Sequence, residues 1–293
     1  MSAAGNPAGA SANLQAAAWM GGVLTCFLAM AVAAREGTES LSAIELLFYR
    51  SLVALAVVVG VAVCLRPGLA VLKTRRLGAQ VLRNLFQFVG QFGWFYAITL
   101  IPLAQVFAIE FTSPLWIGLL APLLLGERMT KRRALALVLG FFGVLAVVRP
   151  GMVAISPGTL AILIGAIGFA LGAIMTKRLT STEKPIAILF YMSVVQGVIS
   201  APFTLADPTL PDLTTVFWVV MVAISGLGAH YCLARALTLA DAMTVAPMEF
   251  LRLPLVMLLA ALLYGEPLDP WILIGGGLIL AGNYLTLRER NPR

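Results

Sequence analysis

Apolar residues run through this chain in long blocks, and the charges collect in short knots between them. Ser51–Leu65, Ala134–Val148 and Trp271–Leu287 carry no charge at all. A block of about 20 apolar residues is what an α-helix needs to cross the hydrocarbon core of a bilayer. On that rule the pattern predicts helices at Gln15–Ala34, Ile44–Leu65, Gln80–Leu100, Leu103–Leu125, Ala134–Val148, Gly158–Thr176, Ile186–Leu205, Val216–Leu237, Ala242–Tyr264 and Trp271–Leu287. The predicted fold is an all-α integral membrane protein with ten transmembrane helices.

Composition agrees. Hydrophobic residues make up 60% of the 293 positions and charged residues 11%, against roughly a quarter charged in a soluble domain. A soluble fold could not cover that much apolar surface. The formal charge of +7 could serve nucleic acid, but the basic residues flank apolar spans, where they orient a membrane protein instead; no nucleic-acid partner is expected. With the N-terminus inside, fifteen Lys and Arg residues fall in inner loops and tail, against Arg35 and Arg149 outside. That bias predicts an inner-membrane protein with both termini cytoplasmic. No Lys or Arg precedes Arg35, so the positive region of a secretory signal is missing and the first apolar block is expected to be retained. Cys26, Cys64 and Cys232 lie in apolar blocks without metal-ligand spacing, and neither disulfide, metal nor cofactor is predicted.

The chain repeats itself. At an offset of 139, Ala97–Leu100 aligns with Ala236–Leu239, Glu110-Phe111 with Glu249-Phe250, and Gly126-Glu127 with Gly265-Glu266. At an offset of 142, Leu47-Phe48-Tyr49 aligns with Leu189-Phe190-Tyr191. The expected units are 1–150 and 151–293, five helices each. Because five is odd, the second unit enters the membrane upside down, giving inverted repeats of the kind that expose a central site to either side in turn.

Polar residues inside the predicted spans mark the candidate site, since an intramembrane charge costs about 2.5–3.5 kcal/mol on insertion scales and faces a cavity or a partner. Glu110 and Glu249 lie at corresponding depths of the fourth and ninth helices. They are read either as binders of a substrate ammonium or a coupling proton, or as structural ion-pair partners. Arg252, three residues after Glu249, either binds a substrate carboxylate or neutralises Glu249, and the short spacing favours neutralisation. Arg50, with Glu45 nearby, reads as a structural anchor. Asn84, Gln87, Gln91 and Trp94 fall on one helical stripe, which favours a cavity lining, while Tyr96 leaves the stripe. His230 and Tyr231 are further candidates in the eighth helix. Glu127 and Glu266 are expected to cap or brace the helix that follows each, and Gly165, Gly168, Gly172 and Gly275–Gly277 to let helices approach closely.

Leu124-Leu125-Gly126-Glu127-Arg128 followed by Leu139-Gly140-Phe141-Phe142-Gly143-Val144-Leu145, and their counterparts from Leu263 and Gly275, resemble the EamA-type members of the drug/metabolite transporter superfamily. The second copy departs in having Pro267 and no basic cluster after its Gly-Glu. The resemblance implies secondary transport of a small-molecule substrate through a cavity between the halves, without ATP hydrolysis. Export of amino acids or their derivatives, opine-type metallophores included, is the first expectation, with import of a vitamin or nucleoside-like compound as the alternative. A proton as coupling ion and a homodimer in the lipid are compatible with it. An enzyme is not expected, because a lone His, no Asp pair in the spans and no P-loop leave nothing to carry chemistry. A membrane scaffold without transport is the reading of another class, and the repeated intramembrane glutamates argue against it.

Overall fold

The computed structural model describes residues 7–66, 68–125, 130–150, 155–179, 182–239, 248 and 251–287. They form helices α1 (Pro7–Ser40), α2 (Ala43–Cys64), α3 (Leu77–Ile98), α4 (Leu103–Glu110), α5 (Ser113–Leu125), α6 (Lys131–Val148), α7 (Pro157–Leu179), α8 (Pro185–Ala206), α9 (Leu213–Leu239), α10 (Arg252–Tyr264) and α11 (Pro270–Leu287), with a short 3₁₀ turn at Gly68–Leu72. Among the described residues, six stretches are long and apolar enough to cross a bilayer, Ala43–Cys64 and Pro157–Leu179 among them, and three shorter apolar helices accompany them. α3 is long enough but falls outside that set, because Gln80, Arg83, Asn84, Gln87 and Gln91 lower its hydropathy. The exterior of the bundle is apolar, with Val63, Phe141, Phe203 and Leu262 all more than half exposed. Such a surface suits lipid and not water.

Local chemistry sets the helix ends. Ser42 and Glu45 form a reciprocal capping box at the start of α2, the Glu45 carboxylate accepting from the Ser42 N–H at 2.8 Å. Glu45 also accepts the Thr209 N–H at 3.1 Å, so it holds α2 to the loop before α9. Ser42→Ala is expected to lower stability by about 1 kcal/mol, read as a drop in the unfolding temperature of the purified protein.

The predicted span Leu103–Leu125 is not one helix. It breaks at Phe111-Thr112 into α4 and α5. Pro114 has no N–H to give the Glu110 carbonyl, and its ring crowds that carbonyl. The Ser113 hydroxyl takes over as donor to the Glu110 oxygen at 2.7 Å, and the Asn283 amide donates to the Phe111 oxygen at 2.9 Å. The free backbone groups of the break are thus satisfied inside the protein. The ninth predicted span, Ala242–Tyr264, is described as helix only from Arg252, its earlier part lying largely outside the described residues.

The main packing partners join the two halves of the chain: α1 runs along α9, α3 along α7, α6 along α11, α2 along α8, and α4 meets α10. The α3–α7 crossing is tight. A Cβ added at Gly93 would collide with the Ala161 carbonyl oxygen and come within 3.2 Å of the Gly165 Cα, and one at Gly168 would come within 2.8 Å of the Gly90 nitrogen. Gly165 and Gly168 therefore have the expected packing role. Gly275 and Gly276 face Gly143 and Leu253, but Gly277 has open space around it, so the expectation fails at that third glycine.

At one end of the bundle, Arg35 of α1 donates to the Ile98 carbonyl at 2.5 Å and sits 3.7 Å from the Glu266 carboxylate. Both Glu266 oxygens accept the Leu103 N–H, at 3.0 and 3.2 Å. Glu266 thus caps α4 and not the helix that follows it, because the chain turn after α10 brings it over the start of α4. Tyr264 donates to Glu36 at 2.9 Å at the same end. Glu127 lies outside the described residues.

Candidate substrate cavity

Midway along the bundle lies a cavity of about 400 Å³ whose wall draws on both halves of the chain. α3 contributes Gln87, Gln91 and Trp94 at its 3.6-residue spacing, α4 ends in Glu110, and α10 begins with Arg252. His230 of α9 is exposed to it, and Phe27, Phe111 and Phe169 supply aromatic faces. Such a mixture of apolar rings and a few placed polar groups, at this size, is the usual make-up of a small-molecule site.

Glu110 is the electrostatic centre. One carboxylate oxygen accepts the Trp94 indole N–H at 2.9 Å, and the other accepts from the Arg252 guanidinium at 2.8 Å. The Arg252 guanidinium also lies over the rings of Phe27, Phe111 and Phe107, at 4.3, 4.6 and 5.1 Å, where cation–π attraction adds to the pairing. Neither charge is favoured by its own helix: a carboxylate ends α4 and a cation opens α10, each against the dipole. Each is held by the other. The expected partner of Arg252 was Glu249, which lies outside the described residues; the ion pair joins Arg252 to Glu110, 142 positions away in the chain.

A second polar group forms around Arg50, which is 7% exposed. Its Nη2 donates to the side-chain oxygens of Gln91 at 2.8 Å and Gln196 at 3.0 Å. Arg50 was expected to anchor against Glu45, but Glu45 is occupied by Ser42 and Thr209, and Arg50 lines the cavity. Sequence reasoning left it out of the site, together with the three phenylalanines. The signal that could have found Arg50 is the one that found Glu110, a charge well inside an apolar span.

Of the other predicted residues, Tyr231 is 60% exposed on the outer surface and meets Trp19 edge-on at a centroid distance of 5.8 Å. It is not among the cavity residues, because one step along a helix turns a side chain about 100° from His230. Asn84 is fully buried and accepts from Arg83 at 2.7 Å, a helix-internal contact beyond the cavity. Tyr96 stacks on Phe92 away from it. Among the described residues no group of three or more His, Cys, Asp or Glu side chains could hold a metal.

An apolar helical bundle with a polar and aromatic cavity walled by both halves of its chain defines a membrane transporter of small molecules. The chain belongs to the EamA-like transporter family, which it matches over residues 15–149 and again over 156–288. It is 29% identical over 243 residues to a riboflavin transporter of Brucella anthropi, covering 80% of this chain and 85% of that protein. It is also 29% identical over 212 residues to an S-adenosylmethionine uptake transporter of Rickettsia bellii, covering 71% and 72%. One crystal structure, 20% identical, superposes with a TM-score of 0.63 over 94% of this chain and 96% of that one, which speaks to the fold. The second of these names states uptake, and neither names the amino-acid export expected from the sequence. Export and uptake leave the same helical pattern, so the spans and the repeat could not separate them.

Proposed function

We propose that this chain is a secondary importer of a vitamin or nucleoside-like metabolite, built from two inverted five-helix halves in the inner membrane with both termini in the cytoplasm. The observation that carries the reading is the cavity: its aromatic faces suit a flat heterocycle, and its amide and guanidinium groups suit the carbonyl and hydroxyl groups such a molecule bears. The packing supports inverted repeats. With α4 and α5 counted as one broken span, exchanging α1–α6 for α7–α11 turns the α1–α9 contact into the α7–α3 contact, while the α2–α8 and α6–α11 contacts map onto themselves, as a two-fold relation between the halves requires, and the odd number of spans per half supports its being inverted. The name of the Rickettsia relative supports uptake, and that of the Brucella relative supports a vitamin as substrate.

In this reading the substrate settles between Trp94, Phe27, Phe111 and Phe169, and rocking of one half against the other changes the side to which the cavity opens. Both oxygens of Glu110 already accept hydrogen bonds. That favours its role as the pairing partner of Arg252 over capture of a substrate ammonium. The test is uptake of labelled riboflavin and, separately, of labelled S-adenosylmethionine into proteoliposomes. Saturable uptake of at least one, roughly tenfold or more above empty liposomes, is expected. Retention of neither compound, with efflux of a preloaded amino acid instead, would return the protein to export.

A further inference from the structure

A guanidinium has five N–H donors, no acceptor, and a charge it does not lose. In Arg50 the Nη2 group is used by Gln91 and Gln196. Among the described residues, Nε is buried without a partner and Nη1 makes no hydrogen bond. Both acceptors are neutral amides, and no carboxylate lies within ion-pair distance of Arg50 among the described residues. The Phe95 ring, 5.6 Å from the guanidinium carbon, is its only aromatic neighbour of this kind among them. Arg252 shares the unpartnered Nε but differs in its counter-charge, since that cation has Glu110 and three rings.

A buried cation without a counter-charge is costly, and it persists where something else supplies the missing acceptor. Gln91 on α3 and Gln196 on α8 fix the orientation of the fork, and Arg50 stands in the cavity wall. The cavity as a whole leans the same way. Among its described residues, it holds two guanidiniums against a single carboxylate, Glu110, whose two oxygens are already taken.

We propose that Arg50 is the docking point of the substrate, taking an electron-rich edge such as a ring carbonyl, an imide or an anionic oxygen, and that the cavity thereby selects neutral or anionic heterocycles against net cations. The inference rests on the reading of this cavity as the substrate site, and it makes Arg50 a determinant of specificity.

Binding, measured apart from transport, tests it. Riboflavin and flavin mononucleotide are titrated into the purified protein in lipid nanodiscs with flavin fluorescence as readout, and S-adenosylmethionine is added as a competitor. The wild type is expected to bind both flavins and to prefer them to S-adenosylmethionine by tenfold or more. Arg50→Gln is expected to bind them at least tenfold more weakly, with an unfolding temperature equal to or above that of the wild type, since it removes a buried charge. Arg50→Lys, which keeps the charge and loses the fork, is expected to fall between. Tighter binding of S-adenosylmethionine than of either flavin, no flavin binding by the wild type, or flavin binding by Arg50→Gln equal to that of the wild type overturns the proposal. Flavin binding that depends on Arg50 without any uptake would leave this inference standing and sink the import reading.

Discussion

Glu110→Gln and Arg252→Gln are each expected to destabilise the protein strongly, whereas the double variant regains most of the stability. The reason is the isolation of this pair. Glu110 and Arg252 are mostly buried, 2.8 Å apart, and each opposes the dipole of the helix that carries it. Removing one partner of a buried pair leaves the other charge uncompensated, at a cost of about 3–5 kcal/mol, while removing both is often close to neutral. The rings of Phe27, Phe107 and Phe111 still attract Arg252 when Glu110 is gone. The Glu110→Gln loss therefore falls toward the lower end of that range. Arg252→Gln falls toward the upper end, because it leaves a carboxylate with only the Trp94 indole. A double-mutant cycle on unfolding free energies measures the coupling. Simple additivity of the two losses would mean that the pair carries no coupling.

The second large effect is steric. Gly93→Val is expected to reduce folded, monodisperse protein to a small fraction of the wild-type yield. Its Cβ would collide with the main-chain oxygen of Ala161 and crowd the Gly165 Cα, and neither is a side chain that can rotate away. Overfilling a packed contact typically costs about 1–3 kcal/mol and sometimes more, and the branches of valine push toward the upper limit. Gly277→Ala is the matched control. Nothing lies within 4 Å of the added atom there, so the variant is expected to fold at least as well as the wild type, alanine being the better helix former by about 1 kcal/mol. Size-exclusion profiles of the two variants decide it. A Gly93→Val protein that elutes and unfolds like the wild type would mean that α3 and α7 are not in contact as described.

How far the site could be read from the residues depended on whether its signals were local. The stripe of Asn84, Gln87, Gln91 and Trp94 is local: side chains at helical spacing inside an apolar span share a face whatever they meet, and all but Asn84 line the cavity. The partner of Arg252 is not local. Glu249 stood three residues away in the sequence, and nothing in the spacing could announce a carboxylate from the other half of the chain. The break at Phe111-Thr112 was hidden because Leu103–Leu125 is apolar almost throughout. Averaging hydropathy erases a missing N–H, although Pro114 marked it. Tyr231 was misplaced for a geometric reason, since adjacency to His230 in the chain is separation around a helix. The aromatic walls were illegible, because a phenylalanine facing a cavity and one facing lipid look the same in a sequence.

Glu266 receives the first N–H of α4 and lies beside Arg35, which in turn holds the last carbonyl of α3. Four segments of the chain thus converge on one side chain. They cannot separate one at a time without stranding a carboxylate, a cation and a helix terminus together. That end of the molecule is built as a clasp, one carboxylate keeping four segments of the chain together.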